Sequence, residues 1–219
     1  MTPLHFMGER LMLDPMGAVW WPAADMLIVA DLHLEKGSAC AVQGRLVPPW
    51  DTRVTLDRLA LLMRRHRPAR VLALGDTFHD RDAAPRMQTQ DATRLTAMTE
   101  AAQFIWVLGN HDPAPQGLRG ETVPEWTEGP FTFRHEARPG TTGELCGHHH
   151  PKAHIETRAG RVTRPCFVND ARRLMLPSLG SYTGGLDVAH PAIRSLFPRG
   201  GRAFLLSKDR LFSFSLAGA

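Results

Sequence analysis

A chain of 219 residues, 43% of them hydrophobic and 22% charged, is long enough to bury one sizeable core as a single domain, and its composition is neither disordered nor fibrous. Its net charge of +4, carried mainly by arginine, is compatible with a polyanionic substrate without requiring one. The longest clean apolar run, Met26 to Ala30, is far below the roughly 20 residues of a membrane span; the opening MTPLHFMGER lacks the pattern of a signal peptide; and three cysteines without CxxC spacing point to a reducing, cytoplasmic setting rather than a disulfide framework.

In chain order, residues 5–13 and 17–21 read as a hairpin around Asp14-Pro15-Met16-Gly17. MLIVAD (26–31) is a short apolar run ending in an acid, the pattern of a buried strand. Residues 36–51 hold glycine, proline and polar groups and read as a loop, with Asp51 or Thr52 placed to cap a helix. Leu56, Leu59, Ala60 and Met63 then recur at helical spacing, and Pro68 stops that helix. VLALGD (71–76) is a second buried strand, a helix is expected near 91–102, and FIWVLGN (104–110) is a third strand. After residue 130 short strand-like pieces follow at 131–135, 143–147, 153–157, 161–168 and 173–177. The three early strands each deliver a polar residue at the carboxyl end, where ligands sit in open α/β sheets, so Asp31, Asp76 and Asn110 line one rim.

Asp31-Leu32-His33 offers two metal ligands two residues apart, which strand alternation puts on one side. Gly75-Asp76 adds a carboxylate beside a residue that permits close backbone approach. Gly109-Asn110-His111-Asp112 offers an amide oxygen, an imidazole and an acid in sequence. His135 follows an aromatic strand, and Gly147-His148-His149-His150 ends another, with His148 and His150 sharing a face. Singly, each has a plain reading as a turn, a cap or a surface histidine. Together the plain readings demand five independent accidents, three of them at the ends of consecutive buried strands.

The ordered set D-x-H, G-D, G-N-H-D, lone H and G-H-x-H, spanning residues 31–150, resembles the calcineurin-like metallophosphoesterases. The resemblance implies an α/β fold, a four-layer αββα sandwich of two mixed sheets flanked by helices. It implies that Asp31, His33 and His150 hold one divalent cation, that Asn110, His135 and His148 hold a second, and that Asp76 bridges them. His149 is left on the far face or at the substrate edge. Two cations about 3.5–4 Å apart can hold the oxygens of a phosphodiester and activate a bridging water as hydroxide for attack on phosphorus. His111 is the candidate to assist the leaving oxygen, with Asp112 orienting it and holding its tautomer. The oxygen and nitrogen donors suit Mn²⁺, Fe or Zn alike; the resemblance implies Mn²⁺.

A narrower resemblance rests on DLHLEKGSA (31–39), LGDTFHD (74–80), WVLGNHDP (106–113), FRHE (133–136), GHHHPKA (147–153) and SYTGGL (181–186), which are similar to the ligase-associated DNA damage response endonucleases. It implies a manganese-dependent phosphodiesterase that cleaves single-stranded DNA in repair, in functional association with a DNA ligase, a helicase and an exonuclease. For such a substrate His79 and Asp80 are candidates at the pocket mouth and Arg134 for a phosphate, although strand alternation points Arg134 away from His135. Trp50, Trp106 and Trp126 are candidates for base stacking, with Trp106 more naturally core. The cluster Arg64, Arg65, Arg67 and Arg70 reads as a solvated face near a helix end, and Tyr182 to Gly185 as a glycine turn. A small-molecule phosphoesterase or nucleotide pyrophosphohydrolase of the same superfamily is the alternative; one acting on lipid would carry an amphipathic insertion, and 113–130 holds none. A non-catalytic binding protein would lack ligands, and none is missing.

Overall fold

The three apolar runs become neighbouring parallel strands in a computed structural model that describes residues 1–113, 117–157 and 160–218. The first sheet holds β1 (Thr2–Phe6), β2 (Glu9–Leu13), β3 (Val19–Trp21), β4 (Met26–Ala30), β5 (Arg70–Leu74), β6 (Gln103–Val107) and β7 (Glu121–Val123), in that spatial order. Antiparallel pairing joins β1 through β4, and parallel pairing joins β4 through β7. The hairpin expected around residues 14–17 joins β2 to β3, but residues 5–13 are not one strand. Met7 and Gly8 both take positive φ and fold the chain back between β1 and β2.

Helix α2 (Asp51–His66) connects β4 to β5, and α4 (Thr89–Ala101) connects β5 to β6. Leu56, Leu59 and Leu62 of α2 and Leu95 and Met98 of α4 pack on Leu27, Val29, Val71, Ala73, Phe104 and Trp106. The alternate residues Ile28, Ala30, Leu72, Leu74, Ile105 and Val107 face the other sheet. Strands covered on both faces are apolar throughout, hence the unbroken runs in the sequence. Each fully buried leucine or valine contributes about 1.5–3 kcal/mol.

Residues 36–51 are not all loop, because α1 (Lys36–Val42) forms within them; α3 (Ala83–Arg86) is a single turn. The glycine- and serine-bearing α1 is fixed by tertiary contact rather than propensity. The Gly37 N–H donates to Asp51 Oδ2 (2.9 Å), and the Glu35 N–H donates to Thr52 Oγ1 (2.8 Å). Asp51 and Thr52 therefore serve the start of α1, and neither caps α2.

The second sheet collects β8 (Trp126–Glu128), β9 (Phe131–Arg134), β10 (Glu144–Cys146), β11 (Lys152–Thr157), β12 (Gly160–Asn169), β13 (Arg173–Met175), β14 (Gly201–Leu206) and β15 (Leu211–Leu216). Its order is β15-β14-β12-β13-β10-β9-β8, with β11 paired to β12 and parallel pairs at β9-β10 and β10-β13. Strands β7 and β8 escape a periodicity reading because each has three residues. The alternation in β15 was a legible signal that the expected pieces did not include.

The sheets meet through Phe131, Phe133, Leu145, Phe167, Leu174 and Phe204 against the inner face of the first. The outer face of the second sheet is covered by Val188, Ile193 and Phe197 around the one-turn α5 (Pro191–Arg194). The layers are thus the expected helix, sheet, sheet, helix, with a thin fourth layer. Cys146 and Cys166 lie in that outer core, where burial pushes their thiols above the usual range. Among the described residues no helix is long and apolar enough to cross a membrane.

Candidate metal centre

Ala30, Leu74 and Val107 are in register across three parallel strands, so Asp31, Asp76 and Asn110 leave the first sheet at one rim. The second sheet delivers to the same place. Parallel β9 and β10 end in register at Arg134 and Cys146, and the chain continues into His135 and into His148 and His150.

Two donor sets result. His33 Nε2 lies 3.2 Å from His150 Nε2, which lies 3.5 Å from Asp31 Oδ1. On the other side Asn110 Oδ1 is 2.8 Å from His135 Nε2 and 3.0 Å from His148 Nδ1, and those two nitrogens are 3.1 Å apart. Asp76 Oδ2 lies between the sets, 3.6 Å from His33 Nε2 and 3.3 Å from His135 Nε2. Ligands about 2.0–2.2 Å from a common cation stand roughly 3.0–3.6 Å from one another, so these donors lie at distances that fit divalent cations; Asp31, Asp76 and His135 also lie close enough together to share one.

The electrostatics agree. Burial would raise the Asp76 carboxyl, but hydrogen bonding and charge from His135 and the His111 N–H hold it at about 2. Burial lowers His33 to about 2, with neighbouring imidazoles adding to the effect against the pull of Asp76. Burial also opposes protonation of His135, yet Asp76 and Asp31 raise it to about 9. A buried carboxylate held ionised, beside one imidazole that resists a proton and another that is drawn to carry one, makes an environment that favours positive charge. The Nδ1–H of His135 donates to the Leu74 carbonyl (3.0 Å), which turns the Nε2 lone pair inward.

The backbone that aims these groups is not extended. Asp31, His33, Asp76, His148 and His150 all have positive φ, from 43° to 72°. Non-glycine residues in this region cost about 1–3 kcal/mol each and cluster at functional sites. The two-residue spacings bring Asp31 with His33, and His148 with His150, onto one side by left-handed turns rather than by the strand pleat assumed from sequence. The loop after β13 holds the turns in place, through Ser178 Oγ–H to the Asp31 carbonyl (2.6 Å) and the Gly180 N–H to the same oxygen (3.1 Å). No motif in the sequence marked that support. Close approach explains two of the motif glycines: a Cβ on Gly109 would lie 2.1 Å from Asp76 Oδ1, and one on Gly147 2.5 Å from Asp31 Oδ2.

His111 joins the centre with its ring 5.0 Å from that of His33, and its N–H donates to Asp76 Oδ1 (2.9 Å). Its tautomer is not held by Asp112. The His79 carbonyl accepts from His111 Nδ1 (2.8 Å), so among the described residues this contact involves Nδ1 and not Nε2. Asp112 is buried and instead takes the Phe78 N–H on Oδ2 (2.9 Å), tying two site loops together; burial raises its carboxyl to about 6. The His79 side chain is drawn into the cluster, with Nδ1 3.2 Å from His33 Nδ1 and its ring stacked on His111 at 4.9 Å. Asp80 pairs with Arg86. Arg134 is clamped between Glu125 (2.8 Å) and Glu144 (2.9 Å), so its charge is already neutralised, in keeping with the alternation that turned it from His135. His149 lies outside both donor sets, its ring against His148 at 4.8 Å. Trp106 is core, stacked on Phe104; Trp126 donates to Glu128, and Trp50 is exposed. Arg65 and Arg70 of the basic cluster pair with Asp14 and Glu128.

The crystal structure of the Pseudomonas putida nuclease MPE superposes with a TM-score of 0.75 at 28% identity, covering 97% of this chain and 99% of that one. YfcE, a phosphoesterase from E. coli, superposes less well, with a TM-score of 0.42 at 11% identity over 87% of this chain and 98% of that one. A search of curated proteins finds no sequence match. The profile of the calcineurin-like phosphoesterases matches residues 25–178, the stretch that carries every residue of both donor sets. Fold, order of ligands and sequence profile thus agree that the chain belongs to the calcineurin-like phosphoesterase family and is a metal-dependent phosphoester hydrolase.

Proposed function

We propose that the chain is a two-metal phosphodiesterase that cleaves single-stranded DNA. The observation that carries the two-metal reading is the position of Asp76 Oδ2, within 3.6 Å of a nitrogen from each donor set. Asp31, His33 and His150 would hold one cation and Asn110, His135 and His148 the other; Mn²⁺ suits this mixture of oxygen and nitrogen. Bound there, the cations would supply a nucleophile at neutral pH and stabilise negative charge on the phosphoryl oxygens.

The chain's own groups do the rest. The His79 carbonyl engages His111 Nδ1, which leaves Nε2 as the nitrogen that, in its protonated form, would donate to the departing or non-bridging oxygen. Asp112 acts at one remove, by holding the loop that carries Phe78 and His79. The nuclease activity named for the P. putida relative supports a nucleic-acid substrate. The sequence resemblance supports a functional association with a DNA ligase, a helicase and an exonuclease, and the cysteine pattern supports a reducing, cytoplasmic setting.

The test is a Mn²⁺-activated assay on circular single-stranded DNA with the native chain, His111→Ala and Asp76→Ala. Loss of cleavage in both variants is expected. Persistent cleavage in both rejects the site, and rapid nucleotide hydrolysis without DNA cleavage by the native chain replaces DNA with a small substrate.

A further inference from the structure

A cavity of about 780 Å³ adjoins the metal centre without including any of its ligands. Four cationic side chains line it, Arg58, Lys152, Arg164 and Lys208, and no carboxylate does. Elsewhere on the surface Arg65, Arg70, Arg86, Arg94 and Arg134 each meet an aspartate or glutamate. Among the described residues the four cations of the cavity meet none. Arg58 Nη1 donates to the Leu179 carbonyl (2.9 Å), and Lys152 Nζ donates to the Thr183 carbonyl (3.3 Å). Burial also holds the Arg58 guanidinium below its usual range. Arg58 and Lys152 are half-buried and Arg164 and Lys208 exposed beside them; this much positive charge on one wall with no carboxylate suits an anionic ligand.

Register places this cavity on the rim of the metal centre. Val19 pairs with Ile28, so the turn carrying Pro15 and Met16 lies at the carboxyl end of β4, next to Asp31. Val168 pairs with Met175 and Cys166 with Leu205, so Arg164 and the Ser207-Lys208 turn lie at the carboxyl end of β13. Lys152 stands two residues beyond His150, and Gly180, another lining residue, donates its N–H to the Asp31 carbonyl (3.1 Å).

At the mouth is Tyr182, the one tyrosine of the chain, 46% exposed and held at φ 60°. The residue before it is pinned: the Ser181 N–H donates to Thr55 Oγ1 (3.0 Å), and Ser181 Oγ–H donates to the Asp51 carbonyl (2.9 Å). An aromatic side chain on a left-handed residue, exposed beside unpaired cations, has the make-up of a single-strand binding platform.

We propose that this cleft carries a single-stranded nucleic acid on one side of the phosphate being cleaved, with Arg58, Lys152, Arg164 and Lys208 on its backbone phosphates and Tyr182 stacked on an unpaired base. The assignment rests on the nuclease reading of the adjoining centre and extends it to the binding of the flanking strand. Four cations drawn from one helix, two strands and a turn suit a run of phosphates better than a single one.

Binding of a fluorescent phosphorothioate 12-mer, measured by anisotropy across a salt series, separates this from catalysis. The Lys152→Ala/Arg164→Ala/Lys208→Ala variant is expected to raise Kd at least roughly tenfold and to lower the salt slope by about 2, at about 0.7 per single-strand phosphate contact. Tyr182→Ala weakens binding with the slope retained. In steady-state assays the ratio of kcat/KM for DNA to that for bis(4-nitrophenyl) phosphate falls at least roughly tenfold in the triple variant. Unchanged affinity and slope in that variant, or no binding by the native chain, overturns the cleft even where DNA is cleaved. Weakened binding with no DNA cleavage by the native chain keeps the cleft and rejects the nuclease reading. Should the triple variant fail to fold, as judged by circular dichroism, the charge reversal Lys208→Glu on the exposed turn gives the same readouts, with the same outcomes deciding.

Discussion

Asp14 begins the turn that carries Pro15 and Met16 to the wall of the cationic cleft, and its side chain is 0% exposed. Burial alone would raise its carboxyl. Hydrogen bonds with His66 (3.1 Å), the Met16 N–H (2.9 Å) and Arg65 (2.7 Å) overcome this and lower it from 3.8 to about 2. A depressed folded-state value stabilises the fold above the unfolded value, and the contribution is lost as pH falls through the folded one. The shift corresponds to about 2.4 kcal/mol at neutral pH, of which about 1 kcal/mol is gone near pH 3. Because Arg65 is 48% exposed and solvent screens its share, about 2 kcal/mol is the expected difference at pH 7. Asp14→Asn removes the charge while keeping an oxygen for the Met16 N–H. Urea unfolding of both chains from about pH 7 down to about pH 3 should show the gap between them narrowing by about 1 kcal/mol. A gap that stays constant or widens as the pH falls would refute the assignment of a charged, stabilising Asp14.

His111→Ala should cost roughly 10²–10⁴ in kcat on a small phosphodiester with the metal content by plasma emission unchanged, because its ring belongs to neither donor set; parallel loss of metal would make it a ligand. Gly109→Ala drives a Cβ to 2.1 Å from Asp76 Oδ1 and 2.2 Å from its backbone nitrogen; metal affinity should fall at least roughly tenfold, and normal metal titration would contradict the close-approach account. His79→Ala removes the contact to His33 Nδ1 and should weaken metal binding by about 10–100-fold, as read by competition with a chelating dye. Leu59→Ala, in the fully buried contact of α2 with the first sheet, should destabilise by about 2–5 kcal/mol in urea.

The sequence by itself determined the chemistry of the centre. Asp31, His33, Asp76, Asn110, His135, His148 and His150 carry side-chain types that suit cation binding, in an order and at strand ends that mark them as candidates. Three doubly covered strands were equally legible, because burial on both faces leaves no polar residue to interrupt them. Tertiary structure decided what depends on contacts distant in sequence. Helix α1 exists because Asp51 and Thr52 reach back to its first turn, and local composition alone reads as loop. The orienter of His111 is the His79 carbonyl, a backbone group that no motif can name, while Asp112, its neighbour in sequence, faces the Phe78 N–H. Left-handed turns, not strand pleat, bring the paired ligands together, and their cost is borne by a loop that follows nearly 150 residues after Asp31. The cationic cleft assembles from residues as far apart as Arg58 and Lys208, so only the fold could bring its charges to one wall.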